Sequence, residues 1–251
     1  MKSVGAKLLQ LYIIFMRKES FATGDFIHVF NRGNRKMPII HNDTDKWRFL
    51  KILRFLNDQY SLSNIFREID ILVKNGKCRQ FERPNAWPQH KPLVKILSFC
   101  LMPNHYHLLL KEIIDGGVSR FMHKLSTSFT NYSNIKYNEV GSVFQGSYKA
   151  KLIKTERYLQ YVDVYIQVFN PFELYAGGSE KATKEFDKAF DFTLEYPFCS
   201  LGESFCKRKL NIIDRDILSD GFEELQGYKD LARELIIYHN IRKTLKEYTF
   251  D

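Results

Sequence analysis

The tripeptide His105-Tyr106-His107 carries the plainest chemistry in the chain, inside a run from Phe99 to Lys111 that reads Phe-Cys-Leu-Met-Pro-Asn-His-Tyr-His-Leu-Leu-Leu-Lys. On a strand, residues i and i+2 point to one face. Two imidazoles standing side by side in this way can ligate one divalent cation. The spacing alone leaves a second reading open, in which two strand histidines simply hydrogen-bond their neighbours. Tyrosine hydroxyls are the available nucleophiles, and the chain has 14 of them. Tyr161 and Tyr165, four residues apart, share one face of a helix. The four cysteines, Cys78, Cys100, Cys199 and Cys206, form no CxxC pair and no zinc-type spacing. They read as reduced, buried thiols of a cytoplasmic protein.

The elements that must hold these residues follow from periodicity. Residues 25–31 alternate apolar and polar as a strand does. A basic loop with Arg32, Arg35 and Lys36 follows, and Asn42-Asp43-Thr44-Asp45 offers N-cap residues to a helix striped by Trp47, Leu50, Leu53 and Leu56. Residues 59–93 read as an insertion, with a helix or strand over 65–73 and an exposed Pro-bearing loop over 74–93. The apolar runs 94–101 and 105–111, joined by the turn Met102-Pro103-Asn104, predict a β-hairpin. Phe121, Met122, Leu125, Phe129 and Tyr132 predict a helix over 118–137, residues 147–153 a strand, and residues 155–169 a helix stopped by Asn170-Pro171. The order β-α-β-β-α-β, followed by a further helix, is the ferredoxin-like order. The expected fold is therefore α+β, an antiparallel sheet with helices on one face, plus a mostly helical C-terminal extension.

Charge divides the chain at Gly177-Gly178-Ser179. The 251 residues carry a net charge of +9, of which residues 1–176 contribute +12 and residues 177–251 contribute −3. This predicts a body that meets a polyanion and a tail that does not. The apolar share of 44% and the modest content of Gly and Pro, 13 and 7, exclude a disordered or collagenous chain. The apolar stretch Leu8 to Met16 is short, is interrupted by Gln10 and has no small-residue cleavage site, so neither export nor a membrane span is expected. Residues 1–16 read as an N-terminal extension, 17–176 as the main domain and 177–251 as a tail.

The segment around the histidine pair resembles the His-hydrophobic-His strand of single-tyrosine HUH transposases, in particular the REP-associated tyrosine transposases. Four further segments resemble that family in order: His28 to Gly33, Phe121 to Tyr132, Gly141 to Gly146, and Tyr158 to Pro171. The resemblance covers about residues 17–175. It implies cleavage and rejoining of single-stranded, hairpin-bearing DNA through a 5′-phosphotyrosine, with a divalent metal ion, Mg²⁺ or Mn²⁺, at His105 and His107. It also implies a prokaryotic, cytoplasmic, nucleoid-associated protein acting as monomer or homodimer. The alignment sets the nucleophile at Tyr165, with Tyr161 as runner-up. A replication or conjugation nickase shares this chemistry but has a different motif order around its tyrosine. Arg32, Arg35 and Lys36, with Lys149 and Lys151 on one face of the fourth strand, are the implied DNA contacts. Lys77, Arg79, Arg83, Trp87 and Lys91 mix cations with an aromatic in a manner suited to unpaired bases, or form a plain loop.

The chain departs from the family in one place. The family has a polar residue one turn past the tyrosine that completes the metal site, whereas this chain has Phe169 there and Asn170 one residue later. Asn170 serves as third ligand if the helix carries a bulge. Gln167 is the alternative, on a different helix face. A non-cleaving protein that binds DNA hairpins is the competing function.

Overall fold

The computed structural model describes residues 21–61, 63–205, 207–218 and 224–248, with side chains described up to residue 238. The expected N-terminal extension, 1–16, lies outside the described residues. Four strands form one antiparallel sheet in the order β2-β3-β1-β4: β1 (Phe26–Arg32), β2 (Val94–Leu101), β3 (His105–Glu112) and β4 (Lys149–Ile153). This is the ferredoxin-like α+β order. β1 sits between β3 and β4, with Phe30 opposite both His107 and Lys149, and His28 opposite Lys151.

The pleat sends alternate residues to opposite faces. Ile27 and Val29 of β1 and Tyr106, Leu108 and Leu110 of β3 enter one core with α1 (Asp43–Leu56) and α3 (Gly117–Tyr137). α1 opens on a reciprocal cap in which the Asn42 side chain accepts from the Asp45 amide while the Asp45 side chain accepts from that of Asn42. The buried Asp45 carboxylate also takes bonds from Tyr132, Lys136 and Tyr137, and so ties α1 to α3. The second face of the sheet carries His28, His107, Leu109 and Ile153. To the helices expected on one face, the structure adds a layer on this one.

The insertion is α2 (Ile65–Lys74), followed by an irregular segment. The expectation of an exposed loop over 74–93 is corrected at its aromatic residues. Phe81 and Trp87 are buried, Trp87 Nε1 donates to Glu68 Oε1 at 2.8 Å, and the Trp87 ring packs edge-on against Phe55. Trp87 is thus a core anchor and is not available for stacking on bases. Burying that large ring gains more than exposing it in a polar loop.

The tyrosine helix α4 (Glu156–Val164) starts where the Thr155 hydroxyl caps the Tyr158 amide. It does not stop at Asn170-Pro171. A π-helical turn, Tyr165–Phe169, continues into a last helical turn, Asn170–Phe172, and the Asn170 amide bonds the Tyr165 carbonyl. Pro171 has no amide to offer the carbonyl four residues back, and its ring crowds that position. The wider turn gives it room. The carbonyl left over, that of Gln167, accepts from the Cys199 thiol at 3.4 Å.

The tail supplies α5 (Gly178–Lys184), α6 (Phe186–Glu195), α7 (Leu201–Ser204) and α8 (Leu225–Tyr248). With α4 it covers the second sheet face, where Leu97, Cys100, Leu109 and Ile153 meet Leu159, Ile166, Phe190 and Tyr228. Cys199 bridges to Cys100 as an antiparallel partner, flanked by bonds from the Leu101 amide to the Phe198 carbonyl and from the Ser200 amide to the Phe99 carbonyl, both 2.9 Å. Cys78, Cys100 and Cys199 are free thiols, and Cys78 is half-buried.

Candidate active site

A cleft of about 460 Å³ opens on the second sheet face. It is lined by Phe30, Asn31 and Arg32 of β1, Lys36 of the following turn, Asn104, His105 and His107 of the hairpin, Gln145, Lys149 of β4, and Glu173 beyond the π turn. The hairpin register sets both histidines on one face, with ring centroids 5.2 Å apart. Each is fixed from behind. Nδ1 of His105 lies 2.7 Å from Asn104 Oδ1, so it donates there and leaves Nε2 as the basic nitrogen. Nδ1 of His107 lies 2.9 Å from Nε2 of His28, the diagonal neighbour on β1.

Electrostatics keep all three imidazoles neutral. Burial, with His28 and His105 beside it, holds His107 well below its ordinary value of 6.5, and burial alone lowers His105. Burial, aided by the charge of Lys151, brings His28 down to about 4. Neutral imidazole is the form that ligates a metal.

Tyr165 reaches this group from α4. Its ring stands edge-on to His107 at 5.4 Å and to His28 at 6.0 Å. Burial raises its phenol above the ordinary value of 10.0, and the Glu173 carboxylate adds to the effect. The phenol is therefore protonated at neutral pH. Tyr161 stacks on Tyr165 at 6.4 Å, one turn farther from the histidines. Every group of this cluster belongs to one chain.

The π turn decides which residues follow Tyr165 on its face. One extra residue in the turn shifts the later positions by about 100°, so Asn170 takes the place that Phe169 holds in a regular helix. Asn170 is buried, and its amide Nδ2 has no hydrogen-bond partner. A buried amide left unsatisfied costs about 1–3 kcal/mol. A group that accepts from Nδ2 removes that cost, whereas a cation would take the amide's Oδ1. Gln167 does not fit the ligand role, because its amide is fully used elsewhere. Nε2 bonds Asp163 and Tyr228, and Oε1 accepts from Ser200 and Ser204. Among the described residues no group of three or more His, Cys, Asp and Glu is arranged to hold a metal ion. Asn170 is not among the residues that line the cleft, where the two imidazoles are the donors that suit a cation.

Of the five cations named from sequence, Arg32, Lys36 and Lys149 line the cleft, and Arg32 Nε donates to Gln145. A Cβ on Gly33 would overlap the Met37 carbonyl, so glycine is what lets this basic turn close. Arg35, at φ 52° in the same turn, is exposed and outside the cleft. Lys151 also lies outside it, with Nζ 5.1 Å from the Tyr158 ring centroid. Sequence reasoning gave no role to His28, Asn104 or Glu173. A histidine in the apolar alternation of the first strand was the available signal for His28. Glu173 had none, since its place depends on the π turn.

Residues 88–168 match the family described as Transposase IS200 like. Among solved structures, a REP-associated tyrosine transposase bound to a REP hairpin is 16% identical, covers 77% of this chain and 87% of its own, and has a TM-score of 0.42. A candidate transposase from Deinococcus radiodurans R1 is 15% identical over 60% of this chain and 94% of its own, with a TM-score of 0.32. No curated protein matches. The matched segment, about a third of the chain, holds β2, β3, β4, both histidines and Tyr165, and it is in these residues that the chain is similar to the IS200-like transposases.

Proposed function

We propose that this chain cleaves and rejoins single-stranded, hairpin-bearing DNA, with Tyr165 as nucleophile and His105, His107 and Asn170 as the residues that hold a divalent cation, Mg²⁺ or Mn²⁺. The observation that carries this reading is the Tyr165 ring edge-on to His107, which with the Asn104-backed His105 lines a cleft shared with Arg32, Lys36 and Lys149.

The chemistry is a phosphoryl exchange. The Tyr165 hydroxyl oxygen attacks the scissile phosphorus in line, the bond from phosphorus to the 3′ oxygen breaks, and the departing 3′ oxygen ends with the proton the phenol loses. The 5′-phosphotyrosine keeps the bond energy, so a 3′-hydroxyl rejoins the strand by the reverse step without ATP. A bound divalent cation supplies positive charge to the phosphate oxygens as negative charge builds on them. His105 and His107 would hold it, and His28 and Asn104, bonded to their Nδ1 atoms, would fix their rings. Burial keeps the Tyr165 phenol protonated, so its proton must leave as the oxygen attacks phosphorus. Arg32, Lys36 and Lys149 neutralise backbone phosphates and make binding salt-dependent. We assign catalysis to residues 17–176 and read 177–251 as an appended tail. No helix among the described residues is long and apolar enough to cross a membrane, and a prokaryotic cytoplasm with chromosomal DNA at hand is the setting we propose.

The test is a denaturing gel of the protein incubated with labelled hairpin DNA and Mn²⁺. The expected result is a covalent adduct that Tyr165→Phe abolishes. Retained hairpin binding with no adduct from the wild type overturns the enzyme reading in favour of a hairpin-binding protein. An adduct that persists in Tyr165→Phe moves the nucleophile to Tyr161.

A further inference from the structure

Tyr165 is the last of three tyrosines in a row. Tyr158, Tyr161 and Tyr165 stand at i, i+3 and i+7 along α4 and its π turn, all partly buried. Their rings lie nearly parallel, 12° and 17° apart in plane, with centroids 6.2 and 6.4 Å apart. Phe169 meets Tyr161 and Tyr165 edge-on, and buried tyrosines of this fold meet their neighbours edge-on or tilted. Tyr106 meets Phe49 tilted and Phe144 edge-on, and Tyr228 meets Phe205 tilted. The row runs from the edge strand β4, where Lys151 lies over Tyr158, to the middle of the sheet at His107. Beside its outer end Lys149, Lys151, Lys154 and Arg157 are exposed against one carboxylate, Glu156.

Half-open aromatic faces in series, flanked by cations, are the two components of sequence-tolerant binding to unpaired nucleic acid: every base has a π face to stack, and every nucleotide a phosphate to neutralise. We propose that Tyr158 and Tyr161, with Lys149 and Lys151, form a subsite that seats the unpaired nucleotides next to the phosphate attacked by Tyr165. The subsite rests on the cleavage reading for its purpose, but its binding is measured apart from any reaction. Its aromatic part holds the bases in line with the nucleophile, and its lysines hold the backbone.

The probe is fluorescein-labelled dT12, titrated by anisotropy without metal, so that no cleavage intervenes. Tyr161→Leu is expected to weaken binding about tenfold, in the range of one lost base stack, and Tyr161→Trp to restore it. Lys151→Gln is expected to lower the salt dependence of log Kd by about 0.7, whereas Tyr161→Leu leaves that slope unchanged. Should circular dichroism show Tyr161→Leu to be misfolded, Tyr158→Leu, nearer the edge strand, is read in its place with the same expectation. Failure of the wild type to bind dT12, or dT12 affinity of the leucine variant within twofold of wild type, overturns the proposal. Failure of the cleavage reading looks different, since dT12 binding then depends on Tyr161 while no covalent adduct forms on hairpin DNA.

Discussion

At the scale of single residues, the histidine pair depends on two partners to which the sequence reading gave no role. His105 is set by Asn104, the last residue of the turn, and His107 by His28 from the neighbouring strand. A ring nitrogen engaged in this way fixes which nitrogen faces the cleft, and loss of such a partner typically costs 10–100-fold in metal affinity. His28→Ala is therefore expected to weaken Mn²⁺ binding by about 10–100-fold in calorimetric titration, while affinity for hairpin DNA measured without metal stays at the wild-type value. Unchanged Mn²⁺ affinity would show that His107 is held in place without His28. The substitution leaves the sheet core largely intact, because Ile27 and Val29, the β1 residues beside it, face the opposite core.

At the scale of elements, α1 and α3 are joined through Asp45. Burial by itself would raise this carboxyl, but bonds from Lys136, Tyr137, the His41 amide and Tyr132 outweigh it and hold the group at about 2, against an ordinary 3.8. A carboxyl lowered in the folded state contributes stability in full above its unfolded value and loses it as pH falls toward the folded one. The contribution of Asp45 is thus complete above about pH 4 and lost between pH 4 and 2. Asp45→Asn is expected to lower stability at pH 7 by about 2 kcal/mol and to flatten the acid limb of urea midpoints over that window. An acid limb as steep as that of wild type would assign it to other carboxylates. The cap of α1 was legible in Asn42-Asp43-Thr44-Asp45, as the hairpin was in two apolar runs around Met102-Pro103-Asn104, because local chemistry and periodicity specify both. The π turn was not. Asn170-Pro171 carries a stop signal in local terms, and only packing against the tail, with the Cys199 thiol covering the Gln167 carbonyl, lets the helix pass it. Trp87 was hidden for a similar reason. A single aromatic in a polar, proline-bearing segment has no periodicity, and its burial follows from the distant Phe55 and Glu68.

At the scale of the whole molecule, the acidic tail lies against the back of the tyrosine helix, and a buried polar network joins them. The Asp163 carboxylate, two residues before Tyr165, accepts from Gln167 Nε2 at 3.0 Å and from the Tyr228 hydroxyl of α8 at 2.9 Å, while Gln167 Oε1 accepts from Ser200 and Ser204 of the tail. Burial raises the Asp163 carboxyl, and the charge of Arg215, whose guanidinium is 4.0 Å away, works against this. Arg215 Nε and Nη2 have no hydrogen-bond partner, but the bonds among Asp163, Gln167, Tyr228, Ser200 and Ser204 join the two parts, and each bond removed leaves a desolvated group behind. The tail therefore braces the π turn that sets Tyr165, Asn170 and Glu173 on one side. Tyr228→Phe keeps the ring packing and deletes one hydroxyl from this network, at an expected cost of about 1–3 kcal/mol. Because the loss falls on the residues flanking the π turn, native-state hydrogen exchange is expected to speed up at the amides of residues 165–170 and to stay near wild-type rates in β1 and β3, up to the general rise that a less stable fold produces. A uniform increase across sheet and helix would mean that the tail stabilises the fold as a whole without bracing the tyrosine. A local increase, with covalent adduct formation slowed and hairpin affinity retained, would make the tail a support for the nucleophile.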